Sequence, residues 1–157
     1  MSKILINFLT IIFLIFLTNC GYKINKIEKN YYIVNLDIEG ERRNSAKLKN
    51  YLIENNEVNV TNKLSLEIDL QSSQSVKDKS KTGSVTSYNL SFLANAEFTI
   101  ENKIIKKNFV ANTSYELGSN HSITIYNEKK AKDDLLKEIA GQILDYLNFR
   151  FKNGRFI

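Results

Sequence analysis

Three lysines, Lys77, Lys79 and Lys81, alternate in the stretch Val76-Lys77-Asp78-Lys79-Ser80-Lys81-Thr82-Gly83. Ammonium groups bind phosphate as point charges, so this spacing could hold a polyanion. The plainer alternative is a solvated loop, because Lys and Asn are used heavily along the whole chain. His121 is the only histidine and lies in a polar stretch beside Asn120 and Ser122, which reads as surface. Zinc takes three or four ligands, and one His with one Cys cannot supply them. Asp133, Asp134 and Glu138 fall in the first half of a helical segment, where carboxylates favour the helix dipole; no motif supports a paired-carboxylate site there. No Ser-His-Asp or Cys-His arrangement has motif context, and neither G-x-G-x-x-G nor G-x-x-x-x-G-K-[ST] occurs. The expectation is a chain with no catalytic residue, metal or cofactor.

Cys20 is the only cysteine, so it cannot form an internal disulfide. It closes an apolar segment that opens on Lys3 and runs from Ile4 to Leu17, interrupted by Asn7 and Thr10. At a 1.5 Å rise that segment spans roughly 21 Å, short of a hydrocarbon core of roughly 30 Å. It has the length of a signal peptide. Leu17-Thr18-Asn19-Cys20-Gly21 resembles a bacterial lipoprotein signal, which implies that Cys20 is diacylated, that cleavage precedes it, and that its new amino group is acylated. Asn19 stands where that pattern favours Gly, Ala or Ser. A cleaved signal with a leftover thiol, or an uncleaved anchor, are the alternatives. Gly21 stands where an Asp retains many Gram-negative lipoproteins at the inner membrane, and this implies sorting to the outer membrane.

The chain divides into a signal peptide at 1–19, an acylated cysteine and tether at 20–30, one domain at 31–148 and a basic, aromatic tail at 149–157, expected to be partly ordered at best. A net charge of +5 is mild. It is not the dense basic stripe of a nucleic-acid binder, but it suits polyanions such as phosphorylated glycolipids.

Within the domain, Tyr31 to Ile38 is β-branched and aromatic and reads as a strand that Gly40 ends. Arg42 to Asn55 reads as a short helix, with Ala46, Leu48, Tyr51 and Leu52 on one face. Leu64, Leu66, Ile68 and Leu70 alternate with polar residues, the mark of a strand with one wet face. Residues 71 to 84 read as a mobile loop. Alternation from Tyr88 to Ile100, a turn at Glu101-Asn102-Lys103, and a returning face of Ile105, Phe109, Ala111 and Tyr115 predict a hairpin. Residues 118 to 127 read as a second loop carrying a small apolar insert, Ile123 to Tyr126. Ala131, Leu135, Ile139, Ile143 and Leu147 then recur every four residues and predict a helix from about Asn127. The economical arrangement is an α+β two-layer sandwich, a four-stranded sheet covered by two helices in the order β-α-β-β-β-α.

Cys20-Gly21-Tyr22, the Lys81-Thr82-Gly83 turn running into Val85-Thr86-Ser87-Tyr88-Asn89-Leu90, and Lys137-Glu138-Ile139 resemble the lipopolysaccharide-assembly lipoprotein family, LptE, across essentially the whole chain after residue 19. The resemblance implies a lipid-anchored plug for the outer-membrane β-barrel LptD, facing the periplasm and the barrel lumen. It also implies that the chain helps assemble the barrel and binds lipopolysaccharide. The basic positions that match are Lys81 and Lys129, with Lys77 and Lys79 in the same basic loop. Family members often carry Arg at the first position; lysine keeps the charge and loses the bidentate fork. Another outer-membrane lipoprotein acting as a periplasmic scaffold, or a small periplasmic hydrolase, are the rival readings.

Overall fold

The computed structural model describes residues 31–54, 62–101 and 103–152. Cys20, the signal and the tether lie outside the described residues, as does the end of the tail from 153. Six elements follow in order: β1 (Tyr31–Gly40), α1 (Arg42–Ile53), β2 (Asn62–Lys79), β3 (Val85–Ile100), β4 (Lys103–Glu116) and α2 (His121–Lys152). The strands form one sheet in the order β1-β2-β3-β4, with β1 parallel to β2 and the other pairs antiparallel. This is the expected α+β architecture. Both helices pack on one face.

The core follows from the alternation. Leu64, Leu66, Ile68 and Leu70 of β2 and every second residue of β3 from Leu90 to Ile100 are buried. Phe109, Ala111 and Tyr115 of β4 extend that face. Leu48 and Leu52 of α1 and the stripe Ala131, Leu135, Leu136, Ile139, Ala140, Ile143 and Leu147 of α2 close over it. In β1 the buried positions change parity, from Tyr31 and Ile33 to the half-buried Leu36 and Ile38. A register shift between Ile33 and Asn35 accounts for this: Val34 has no partner across the ladder and points out, and both sets reach the same face.

Three boundaries differ from the sequence reading. The loop expected at 71–84 is mostly strand, since β2 runs to Lys79 and only Ser80–Ser84 turn back. Its Ser and Gln residues have no core to face, but β3 offers a continuous antiparallel partner from Leu93 back to Val85. The pairing partner therefore decides the conformation of a polar stretch. The helix expected from Asn127 starts six residues earlier, at His121. Asn120 caps it: its Oδ1 accepts the Ile123 N–H at 2.9 Å, three residues on. At the other end α2 continues through Lys152, so the first residues of the supposed tail are helical, and Phe151 stacks on Tyr31 with ring centroids 5.1 Å apart.

The candidate basic end and the open sheet face

The hairpin between β2 and β3 carries the three alternating lysines. Gly83 N–H donates to the Ser80 carbonyl at 2.9 Å, and Ser80 N–H to that of Ser84 at 2.7 Å. Gly83 takes φ +86°, the left-handed position of a tight turn followed by a bulge, and a Cβ there would meet open space. This turn sets Lys81 at the apex. Lys79 and Lys81 are exposed, and their side chains have no hydrogen-bonded or ion-paired partner among the described residues. Lys77 differs. It sits at a register shift between Val76 and Asp78, and its Nζ donates to Ser114 Oγ at 3.1 Å. Asp78 accepts the Ser87 hydroxyl at 2.7 Å, which ties the end of β2 to β3.

Lys129 does not join this group. It lines a cleft between α1 and α2 with Arg43, Asn44, Lys47, Glu128 and Lys132. The neighbouring Lys130 instead lines a cleft with Lys77, Asp78, Ser87, Asn127 and Asp134. Adjacent helical residues point about 100° apart, so one position of register decides which cleft a lysine enters. Lys130 is paired with Asp134 at 2.9 Å, which neutralises part of its charge. His121 is the exposed first residue of α2 and does not approach these lysines through any hydrogen bond or ion pair.

The three carboxylates singled out on α2, Asp133, Asp134 and Glu138, each accept a partner within the fold. Asp133 accepts Lys47 Nζ at 2.7 Å, Lys137 Nζ at 2.9 Å and the Tyr51 hydroxyl at 2.7 Å, bridging α1 to α2. The hydrogen bond from Lys47, then those from Lys137 and Tyr51, hold its carboxyl well below the usual carboxylate range. Donating its hydrogen bond to Asp133 in turn raises the pKa of the Tyr51 hydroxyl. A depressed folded-state pKa stabilises the fold above the unfolded value, near pH 4, and the contribution is lost as pH falls through the folded value. Both lysines are well exposed, so solvent screening keeps the stabilisation small. Asp133→Asn should therefore cost about 1–2 kcal/mol at pH 7 and much less near pH 2, read by urea melts at both pH values. An equal cost at both would remove the charge from the explanation. Glu138 accepts Gln142 Nε2 at 3.3 Å. Among the described residues no group of three His, Cys, Asp or Glu side chains could hold a metal ion.

The face of the sheet away from the helices is open and mostly polar over β1 to β3, with Ile104 and Val110 of β4 exposed at its edge. Sequence reading missed its charge pattern, because the residues come from separate strands. Asp37, Glu67 and Glu97 oppose one another across β1, β2 and β3, and Glu39 pairs in register with Asp69. Glu97 is paired with Lys106 of β4 at 2.7 Å, and Asp69 accepts Gln71 at 2.7 Å and Asn95 at 3.2 Å. Like charges directly opposite are unfavourable in a sheet, so this row is a cost the fold carries. It lies on the strand halves remote from the hairpin turn. The open face is thus acidic toward one end and basic at the other.

Two solved structures can be laid on this arrangement. A lipoprotein B from Nitrosomonas europaea, described as uncharacterised, matches with a TM-score of 0.60 at 14% identity, over 85% of this chain and 93% of that one. The rare lipoprotein B from Shewanella oneidensis matches with a TM-score of 0.52 at 16% identity, over 81% and 97%. The fold is shared with lipoproteins of known structure. No family model matches the sequence, and no curated protein matches it either. At these identities the likeness rests on the path of the backbone and shows the fold alone.

Proposed function

We propose that this chain is an outer-membrane lipoprotein, held through acylated Cys20, which plugs an LptD-type β-barrel, assists its assembly and binds lipopolysaccharide. Its role is mechanical and catalyses no reaction. The observation that carries this reading is the hairpin apex: the side chains of Lys79 and Lys81 stand unpaired at a hydrogen-bonded turn, at the end of a long sheet with one open face. The shared fold with two lipoproteins supports an anchored protein. A strand of 18 residues such as β2 exceeds the thickness of a bilayer core, roughly 30 Å. A porin-type lumen is polar, and an open polar sheet face suits it. Lysines compete for the phosphates and divalent-cation bridges that hold lipopolysaccharide in aggregates.

Affinity purification of the tagged full chain from envelopes should bring down a large outer-membrane barrel protein. Recovery without any barrel would end the plug reading, and a different envelope partner would favour a scaffold. For the lipid, the double change Lys79→Asp and Lys81→Asp should weaken lipopolysaccharide binding about tenfold, with the loss shrinking at high salt. Thermal unfolding should be unchanged, because neither side chain packs on the domain. Unaltered binding would return these lysines to the role of solvated surface.

A further inference from the structure

The insert Ile123-Thr124-Ile125-Tyr126 lies in the first turns of α2, and the proposed function leaves it without a task. Its neighbours are fixed. The Leu117 N–H donates to the Thr86 carbonyl at 2.9 Å, so the exit of β4 sits beside the start of β3, where Lys79 pairs with Val85. Gly118 N–H donates to Thr124 Oγ1 at 3.0 Å, and Asn127 Nδ2 to the Glu116 carbonyl at 2.9 Å. Ile123 packs so closely on Gly118 that a Cβ there would collide with it. The first of these bonds ties the end of β4 to the start of β3, and the other two close the corner between β4 and α2. Yet its apolar side chains are uncovered: Leu117 is 37% exposed, Ile123 42% and Tyr126 65%. Tyr126 lies three residues after Ile123, on the same side of the helix, and one turn before Lys130. An ordered apolar corner beside unpaired lysines is complementary to an anionic amphiphile.

We propose that this corner holds the acyl portion of one phosphorylated glycolipid, with Leu117, Ile123 and Tyr126 against the chain and Lys79 and Lys81 toward its phosphates. The assignment rests on the lipopolysaccharide-binding reading above and adds which part of the ligand meets which part of the protein. Tyrosine suits such a boundary, since its ring is apolar and its hydroxyl stays wet.

The test uses the full chain in neutral-lipid nanodiscs and three probes: intact lipopolysaccharide, fully deacylated lipopolysaccharide, and phosphatidylglycerol vesicles. The double change Ile123→Ser and Tyr126→Ser should weaken intact lipopolysaccharide about tenfold, as expected for losing roughly one buried apolar side chain, and leave the deacylated form unchanged. The lysine reversals should weaken both forms. Tyr126→Phe, with Ile123 kept, should bind intact lipopolysaccharide as the parent does. Equal loss on both forms, or no loss on either, overturns the acyl assignment. Equal loss on the vesicles makes the occupant a bilayer surface and overturns the glycolipid. If the parent binds neither form of lipopolysaccharide, the underlying reading falls and takes this one with it. An unchanged melting temperature for the serine variant guards against misfolding as the cause.

Discussion

Phe98→Ala should destabilise the domain by about 3–5 kcal/mol, a large share of the roughly 5–15 kcal/mol available to a domain of this size. The ring is fully buried and stands where three elements meet. It packs edge-on to Phe109 of β4, with centroids 6.4 Å apart, and against Tyr146 of α2 at 5.3 Å. Phe109 and Tyr146 also touch, at 5.9 Å, so the three rings close a triangle. Such ring contacts add about 0.5–1.5 kcal/mol beyond area burial. Tyr146 is held from outside as well: Arg150 Nε donates to its hydroxyl at 3.1 Å and the guanidinium lies over its ring. With two rings fixed, the site cannot collapse to fill the space that the alanine leaves. Phe98→Leu should cost less than half as much, since most of the volume stays. Urea unfolding with an unchanged m-value would read both. A cost below about 1 kcal/mol for the alanine would mean that this corner is loosely packed.

Phe98 was legible beforehand because its neighbours on β3 repeat every second residue. Where one residue pattern served one element, sequence and structure agree, as in β3, in the apolar half of β2 and in α2 from Ala131 on. Disagreements arose where a contact from elsewhere in the chain set the conformation. The distal half of β2 has no apolar alternation and is a strand because β3 pairs with it. At the start of α2, Asn127 stands four residues before the buried Ala131 and is polar, so the apolar stripe does not extend back to it. Asn120 was the available signal, as a cap residue ahead of Ile123, and it outweighs the interrupted stripe.

The site divides in the same way. Lys77, Lys79 and Lys81 are neighbours in sequence, so their proximity could be read directly. Lys129 required knowing how α2 sits against α1: with Ala131 and Leu135 turned to the core, Lys129 falls at the α1 cleft. The row Asp37, Glu67 and Glu97 was invisible because cross-strand register joins residues far apart in sequence. That row gives the open face its acidic end, opposite the lysines of the β2–β3 hairpin.

The second large effect is expected at the end of β1. Gly40→Ala should cost about 2–3 kcal/mol or more, because two separate penalties coincide there. Gly40 has φ +133°, a region that residues with a Cβ rarely enter. It is also paired with Leu70, and a Cβ would collide with the Leu70 carbonyl oxygen. That oxygen belongs to backbone in the middle of the sheet, so it cannot swing aside as a side chain could. Relief would come by breaking the last β1–β2 pair and moving the entry to α1, where Glu41 hands the chain to the helix. Gly141→Ala provides the control within the same molecule. Gly141 is helical, in α2, and a Cβ there meets nothing within 4 Å. Alanine should stabilise that site by about 0.5–1 kcal/mol through better helix propensity. The two substitutions are chemically identical and should move the urea midpoint in opposite directions. If both shifted it the same way, the difference in backbone geometry between Gly40 and Gly141 would not be what governs the response.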